Sequence, residues 1–236
     1  MSFDFTSENI AGFLRDVAKE YRKLGGKNMP AEMILVGGAA VMVNYGFRNL
    51  TTDIDALTYA ASSFEDAIRT VGAYHDLPAG WLNSDFARTS SYSEKLREVS
   101  IYYRSFYHVL TVRTVASEYL IAMKLRSGRP YKNDFSDIAG ILQEEKERGN
   151  YISKDRIEAA FCELYGESGV MPETSREFLN RISELSDYRE LYQETKRQEN
   201  QSRNLLLEFQ EKNPGQLKEN SVNEILEELT NKLTDE

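Results

Sequence analysis

Met33-Ile34-Leu35-Val36-Gly37-Gly38-Ala39-Ala40, followed by Thr52-Asp53-Ile54-Asp55-Ala56-Leu57, is the stretch on which the fold turns. Residues 33–36 form a short apolar run stopped by two glycines, which reads as a buried strand. Residues 39–45 resume as a small-residue helical segment, and 52–57 read as the next strand. Asp53 and Asp55 lie two apart on that strand, so both carboxylates point to one face. Side by side they repel, and a divalent cation resolves the repulsion: Mg²⁺ takes one or two carboxylates plus substrate phosphates as ligands. The Gly37-Gly38 turn offers unobstructed backbone N–H groups at a helix start, where a phosphate can dock. Each half alone has a bland explanation, since such glycines often serve close packing and a D-x-D pair is commonly a solvated face. Together, on strand–turn–helix–strand, they point to metal-assisted chemistry on a nucleoside triphosphate.

Upstream, Ile10, Phe13, Leu14, Val17, Tyr21 and Leu24 space out one helix face after Thr6-Ser7, ended by Gly25-Gly26. Downstream, Ser63 and the acidic Glu65-Asp66 open a helix to about Tyr74. Residues 75–97 look irregular, and Val99–Tyr103 and Val109–Val112 have strand composition. Ser117 caps a helix through Leu125 that ends at Gly128 and Pro130, and residues 134–146 form another. From Ser153 every periodic segment reads as helix: one marked by Ile157 and Phe161, one from Phe178 through Leu191 and on past Leu205, and a last one marked by Ile225, Leu226, Leu229 and Leu233. The expected fold is therefore α+β, with a small mixed sheet flanked by helices. Its expected division is a core over 1–150 and an all-helical region over 151–236.

The chain has 236 residues, a formal net charge of −9 and 41% hydrophobic residues, enough for a sizeable core. No apolar run reaches the roughly 18 residues of a membrane span, and the N-terminus lacks a signal pattern. A single cysteine, Cys162, excludes an internal disulfide, and a reduced cytoplasmic location is expected. The acidic balance removes generic nucleic-acid affinity, but 11 acidic against 6 basic residues place −5 in 190–236. The excess sits mainly in the tail and does not argue against a nucleotide or RNA substrate.

The stretch Val36-Gly37-Gly38-Ala39-Ala40 … Tyr45-Gly46-Phe47-Arg48-Asn49-Leu50-Thr51-Thr52-Asp53-Ile54-Asp55-Ala56-Leu57 resembles the core of DNA polymerase β-type nucleotidyltransferases. It is most similar to the bacterial DUF6036 group, related to the AbiEii toxin-like nucleotidyltransferases. The likeness continues through Trp81-Leu82-Asn83, residues 118–126, Gly128-Arg129 and residues 134–138. The resemblance implies a mixed sheet, Mg²⁺, a nucleoside triphosphate such as ATP, and often a role as the toxin of a toxin–antitoxin or phage-defence pair. It assigns Gly37 and Gly38 to the phosphate loop, Asp53 and Asp55 to the metal, Thr52 to phosphate and Lys124 to the triphosphate. Asp134 and Asp137 match the acidic pair after the lysine.

Lys124 interrupts an apolar run, where an unpaired charge is costly to bury, so it either meets the triphosphate or snorkels from a half-buried helix. Arg48, before Asp53, either meets phosphate or is solvated, and Arg129 is placed to pair with Asp134 or Asp137. Polymerase β-type enzymes usually add a third metal carboxylate on a later strand. Residues 99–103 and 109–112 contain none, leaving Glu98, Asp85 and Asp137 as candidates. Trp81 packs or stacks on a base, Cys162 reads as core, and His75 and His108 are too few for a triad or zinc site. Tyr102, Tyr103 and Tyr107, with Arg97, Arg104 and Arg113, either contact RNA or form the polar face of a strand. Two functions follow: transfer of a nucleoside monophosphate to an RNA 3′ end or a protein hydroxyl, or a non-catalytic nucleotide- or protein-binding module on a degenerate core. An antitoxin protein is the expected partner of a toxin, and no membrane is expected.

Overall fold

The computed structural model describes residues 3–167, 169–218 and 221–234, with the backbone alone for 232–234. The side chain of Leu233, expected on the last helical face, lies outside the described residues.

The chain begins with β1 (Phe5–Thr6) and α1 (Ser7–Tyr21). Thr6 and Asn9 cap α1 reciprocally, each side chain accepting the other's backbone N–H. Gly25, at φ +95°, lets the chain leave the helix as predicted. Next come β2 (Ala31–Leu35), α2 (Gly37–Asn44), β3 (Leu50–Thr51), β4 (Ile54–Tyr59) and α3 (Ser63–Tyr74). β5 (Leu82–Asn83), β6 (Ser100–Phe106) and β7 (Leu110–Val115) complete the strands. The segment 75–97 holds β5 and two short 3₁₀ turns, Asp85–Arg88 and Glu94–Arg97.

Among the described residues the main sheet runs β5-β4-β2-β7-β6. β2 lies antiparallel to β4 and parallel to β7, so the sheet is mixed as expected. Ile34, Leu35, Ile54 and Ala56 in its centre are fully buried, which is why this segment is continuously apolar. β1 and β3 make a separate two-stranded ribbon pairing Phe5 with Thr51. That ribbon brings α1 and Trp81 together, and Trp81 stacks on Phe5 with ring centroids 5.9 Å apart. Trp81 is thus a packing residue.

The helical half follows as α4 (Ser117–Ser127), α5 (Asp134–Glu147), α6 (Lys154–Tyr165), α7 (Glu173–Ser183), α8 (Arg189–Lys212) and α9 (Val222–Thr234). α6 packs on α4, and α8 on α5. Their apolar residues, from Ile157 to Leu191, join the same buried cluster as the sheet. The continuous helix expected from Phe178 past Leu205 is two helices. The chain breaks at 184–188, where the Tyr188 N–H donates to Gln143 Oε1 of α5 at 2.9 Å and turns α8 onto that helix. Cys162 is exposed rather than core. The buried stripe of α6 runs Ile157, Ala160, Phe161, Leu164, and Cys162 falls just outside it. No helix among the described residues is long and apolar enough to cross a membrane.

Candidate active site

The glycine turn and the paired aspartates meet through one backbone bond. The Val36 N–H donates to the Asp55 carbonyl at 3.0 Å, continuing the β2–β4 ladder one residue beyond Leu35 and Ala56. Gly37 follows in the left-handed region at φ +56°. A Cβ there would stand 3.2 Å from Asp55 Oδ2, so the turn lies directly against the carboxylate. A Cβ on Gly38 would meet Thr51 Oγ1 at 2.8 Å and Arg48 Nη2 at 2.5 Å. Both glycines allow a close approach, and Gly37 also supplies the freedom at φ > 0 that its turn requires.

Asp53 sits in the bend just before β4 rather than on the strand, because the ladder begins at Ile54, whose N–H bonds to the Trp81 carbonyl. Asp53 and Asp55 nonetheless line one cleft of about 570 Å³. An adjoining space of about 410 Å³ carries Gly37, Gly38, Arg48, Thr51, Thr52 and both aspartates. Thr52 is exposed on its wall, whereas Thr51 is the buried hydroxyl beside Gly38. Burial pushes the Asp55 carboxyl up to about 6, with Asp53 and then Asp85 adding repulsion while Arg129 and Lys124 oppose it. A carboxylate so unwilling to ionise beside a second one is a donor set that suits a divalent cation.

Of the three candidates for a further carboxylate, Asp85 alone lines the cleft. β5 runs parallel to β4, pairing Asn83 with Asp55, so Asp85 follows two residues later at the same end. Glu98 is exposed and lines neither space. Asp137 is committed to cations. No group of three or more His, Cys, Asp or Glu among the described residues is arranged to hold a metal ion.

Those cations form a buried network at the α4–α5 corner. The Lys124 ammonium sits 3.0 Å from Asp134 Oδ1 and 2.7 Å from Asp137 Oδ2. Arg129 donates its backbone N–H and Nε to Asp134 Oδ2, and Arg48 pairs with Asp137. Lys124 therefore lines the cleft with its charge spent on two aspartates. Burial alone would lower the Lys124 pKa, but Asp137 and Asp134 outweigh it and hold the pKa above its ordinary value. Burial likewise opposes ionisation of Asp134, yet Lys124 and Arg129 pull that carboxyl down to about 2. Gly128, left-handed at φ +53°, ends α4 and turns the chain so that Asp134 comes back under Lys124.

Sequence reasoning missed the part played by α8. Glu199 Oε1 accepts the N–H groups of Phe135 and Ser136 at 2.8 and 3.3 Å, capping the first turn of α5, while its Oε2 has no partner among the described residues. One helical turn on, Arg203 reaches Asn133 Oδ1 at 2.8 Å and lines the cleft. Neither residue carries a local signal, because its meaning depends on where α8 docks. Lys132, exposed in the loop between α4 and α5, was likewise not singled out by the sequence, and it lines both spaces.

Burial pushes Glu199 up to about 7, against the lowering effect of the Ser136 and Phe135 hydrogen bonds, with Asp137 adding repulsion. A carboxyl raised from 4.5 to about 7 stabilises the fold fully below pH 4.5 and loses that contribution as pH rises through 7. Glu199→Gln is expected to flatten this decline and to stabilise the protein at pH 8 by on the order of 1–3 kcal/mol. Urea unfolding across pH 4.5–8 checks it, and parallel curves for the two proteins would refute it.

Of the basic-aromatic segment, Tyr102, Tyr103 and Arg104 lie on β6, at the edge of the sheet two strands beyond β2. Arg97 precedes that strand, Tyr107 follows it and Arg113 lies on β7. Arg97 pairs with Glu32 at 2.8 Å and Arg113 bonds to Ser100, so both are committed within the fold.

The mixed sheet, glycine turn and paired aspartates all fall within a stretch that a family comparison identifies as a nucleotidyltransferase-like domain. The family model described as "nucleotidyltransferase of unknown function (DUF6036)" matches residues 12–145, and the chain belongs to that family. No curated protein and no solved structure matches it.

Proposed function

We propose that the protein transfers a nucleoside monophosphate from a nucleoside triphosphate to an acceptor hydroxyl, at an RNA 3′ end or on a protein, with Mg²⁺. The observation that carries this reading is the Gly37 turn lying 3.2 Å, Cβ position to oxygen, from the Asp55 carboxylate. The turn whose backbone takes the phosphate in this reading lies beside an acidic pair in one cleft.

In this reading Asp53 and Asp55 hold the ion, which when bound supplies positive charge against the phosphates. The N–H groups of the Gly37-Gly38 turn, at the start of α2, orient the phosphate chain. Thr51 and Thr52 offer hydroxyls at its side, and Arg129 and Arg48 line the wall with their N–H groups, held in place by Asp134 and Asp137. The acceptor oxygen bonds to the α-phosphorus, the bond to the β-phosphate oxygen breaks, and pyrophosphate leaves. The acceptor's proton passes to solvent or to Asp85, the further carboxylate on the cleft. Action as the toxin of a toxin–antitoxin or phage-defence pair, in the cytoplasm where nucleoside triphosphates are abundant, fits such chemistry.

Incubation with each of the four α-³²P nucleoside triphosphates and cellular RNA or protein tests the proposal. Label transfer that disappears in Asp53→Ala/Asp55→Ala supports it. A second reading, a non-catalytic nucleotide- or protein-binding module, is favoured by the absence of a three-carboxylate cluster among the described residues. Triphosphate binding in Mg²⁺ without transfer of any label would select it, and no binding at all would remove both.

A further inference from the structure

The cleft beside the glycine turn holds five cationic side chains, Arg48, Lys124, Arg129, Lys132 and Arg203. Three of them are neutralised within the fold: Arg48 by Asp137, Lys124 by Asp134 and Asp137, and Arg129 by Asp134. The other two are not. Lys132 is exposed and has no ion-pair partner among the described residues. Among the described residues Arg203 bonds only to neutral oxygens: Asn133 Oδ1 at 2.8 Å, the Tyr131 carbonyl at 3.4 Å and Asn200 Oδ1 at 3.4 Å. Its guanidinium is thereby aimed without its charge being cancelled. α8 is fixed here by Glu199, whose carboxylate caps α5 one turn before Arg203.

We propose that Lys132 and Arg203 together bind phosphate groups of a ligand in the cleft, making α8, which lies outside the family match, a wall of the site. The inference rests on the nucleotidyltransferase reading for the identity of that ligand. Two uncancelled cations at one end of a cleft favour a polyanion over a neutral ligand, and Arg offers a planar fork suited to phosphate oxygens. The phosphates can belong to the triphosphate or to an RNA acceptor, and both present the same oxygens.

The test is equilibrium binding by the full chain in Mg²⁺ of a fluorescent nucleoside triphosphate, inorganic tripolyphosphate (by competition) and a short single-stranded oligoribonucleotide. Lys132→Ala, Arg203→Ala and Arg203→Lys are compared with wild type over a range of salt. Each alanine variant is expected to bind about tenfold more weakly and with a shallower salt dependence, and Arg203→Lys to recover part of the loss. Weakening with triphosphate and tripolyphosphate assigns the pair to the donor, and weakening with the oligoribonucleotide alone assigns it to the acceptor. Lys132 is exposed, so its variant reports on charge rather than folding. If wild type binds triphosphate and both alanine variants match its affinity and salt slope for all three ligands, this inference fails and the functional reading stands. If wild type binds none of the three, both fail.

Discussion

Asp134→Ala is expected to destabilise the protein by about 3–5 kcal/mol, the usual cost of breaking a buried ion network on one side. Asp134 is fully buried and receives Lys124 and Arg129 together. Its loss strands a buried ammonium on Asp137, which Arg48 already claims, and removes the acceptor that shapes the 128–133 loop. For a chain of this length that is a fall in Tm of roughly 10 °C or more. The acid limb adds a second signature. A carboxyl held at about 2, below its ordinary 3.8, contributes stability that is complete above 3.8 and is lost as pH falls through 2. About 2 kcal/mol of acid sensitivity in that window should therefore be present in wild type and absent in the variant. A Tm within two degrees of wild type, with the same acid limb, would show that the network contributes no net stability.

Asp55→Asn is expected to separate stability from function. Asp55 pays a penalty for ionising that takes it from 3.8 to about 6, so its stabilising contribution is complete below 3.8 and gone once pH rises through 6. Asparagine removes the charge while keeping the shape beside Gly37. The metal-free variant should gain on the order of 1 kcal/mol at pH 8, the full shift being discounted because the side chain is partly exposed. The same change should abolish any rise in Tm caused by Mg²⁺ and reduce label transfer at least about 100-fold, an effect comparable to the loss of other preorganised charge in an active site. Calorimetry with and without Mg²⁺ measures the first effect, and the labelling assay the second. A variant no more stable than wild type that still responds to Mg²⁺ would mean that Asp55 is not a ligand of the ion.

The fold was largely legible because its deciding elements are local. A continuous apolar run for β2, a double glycine at a helix start and clear 3.6-residue stripes on α1, α5 and α6 each reflect burial imposed on a short segment. The errors arose where a distant partner set the outcome. Asp53 falls off the strand because β4 begins where the Trp81 carbonyl is available to Ile54. The long helix divides at 184–188 because Gln143 of α5 takes the Tyr188 N–H. Thr51 rather than Thr52 approaches Gly38, since pairing with Phe5 of β1 turns it inward.

At the site, the sequence by itself marked the acidic pair, the glycine turn and the lysine of α4, though it directed that lysine to a triphosphate rather than to Asp134 and Asp137. All are carried by residue types at fixed spacing within about a hundred residues of chain. Only the tertiary structure decided how charge is distributed among them. It spends Lys124, Arg129 and Arg48 on two buried aspartates, brings Asp85 to the cleft and leaves Glu98 outside it. It also introduces Glu199 and Arg203 from a helix that has no local mark of function. Electrostatic pairing depends on distance and burial in space, and neither can be read from positions separated by seventy residues along the chain.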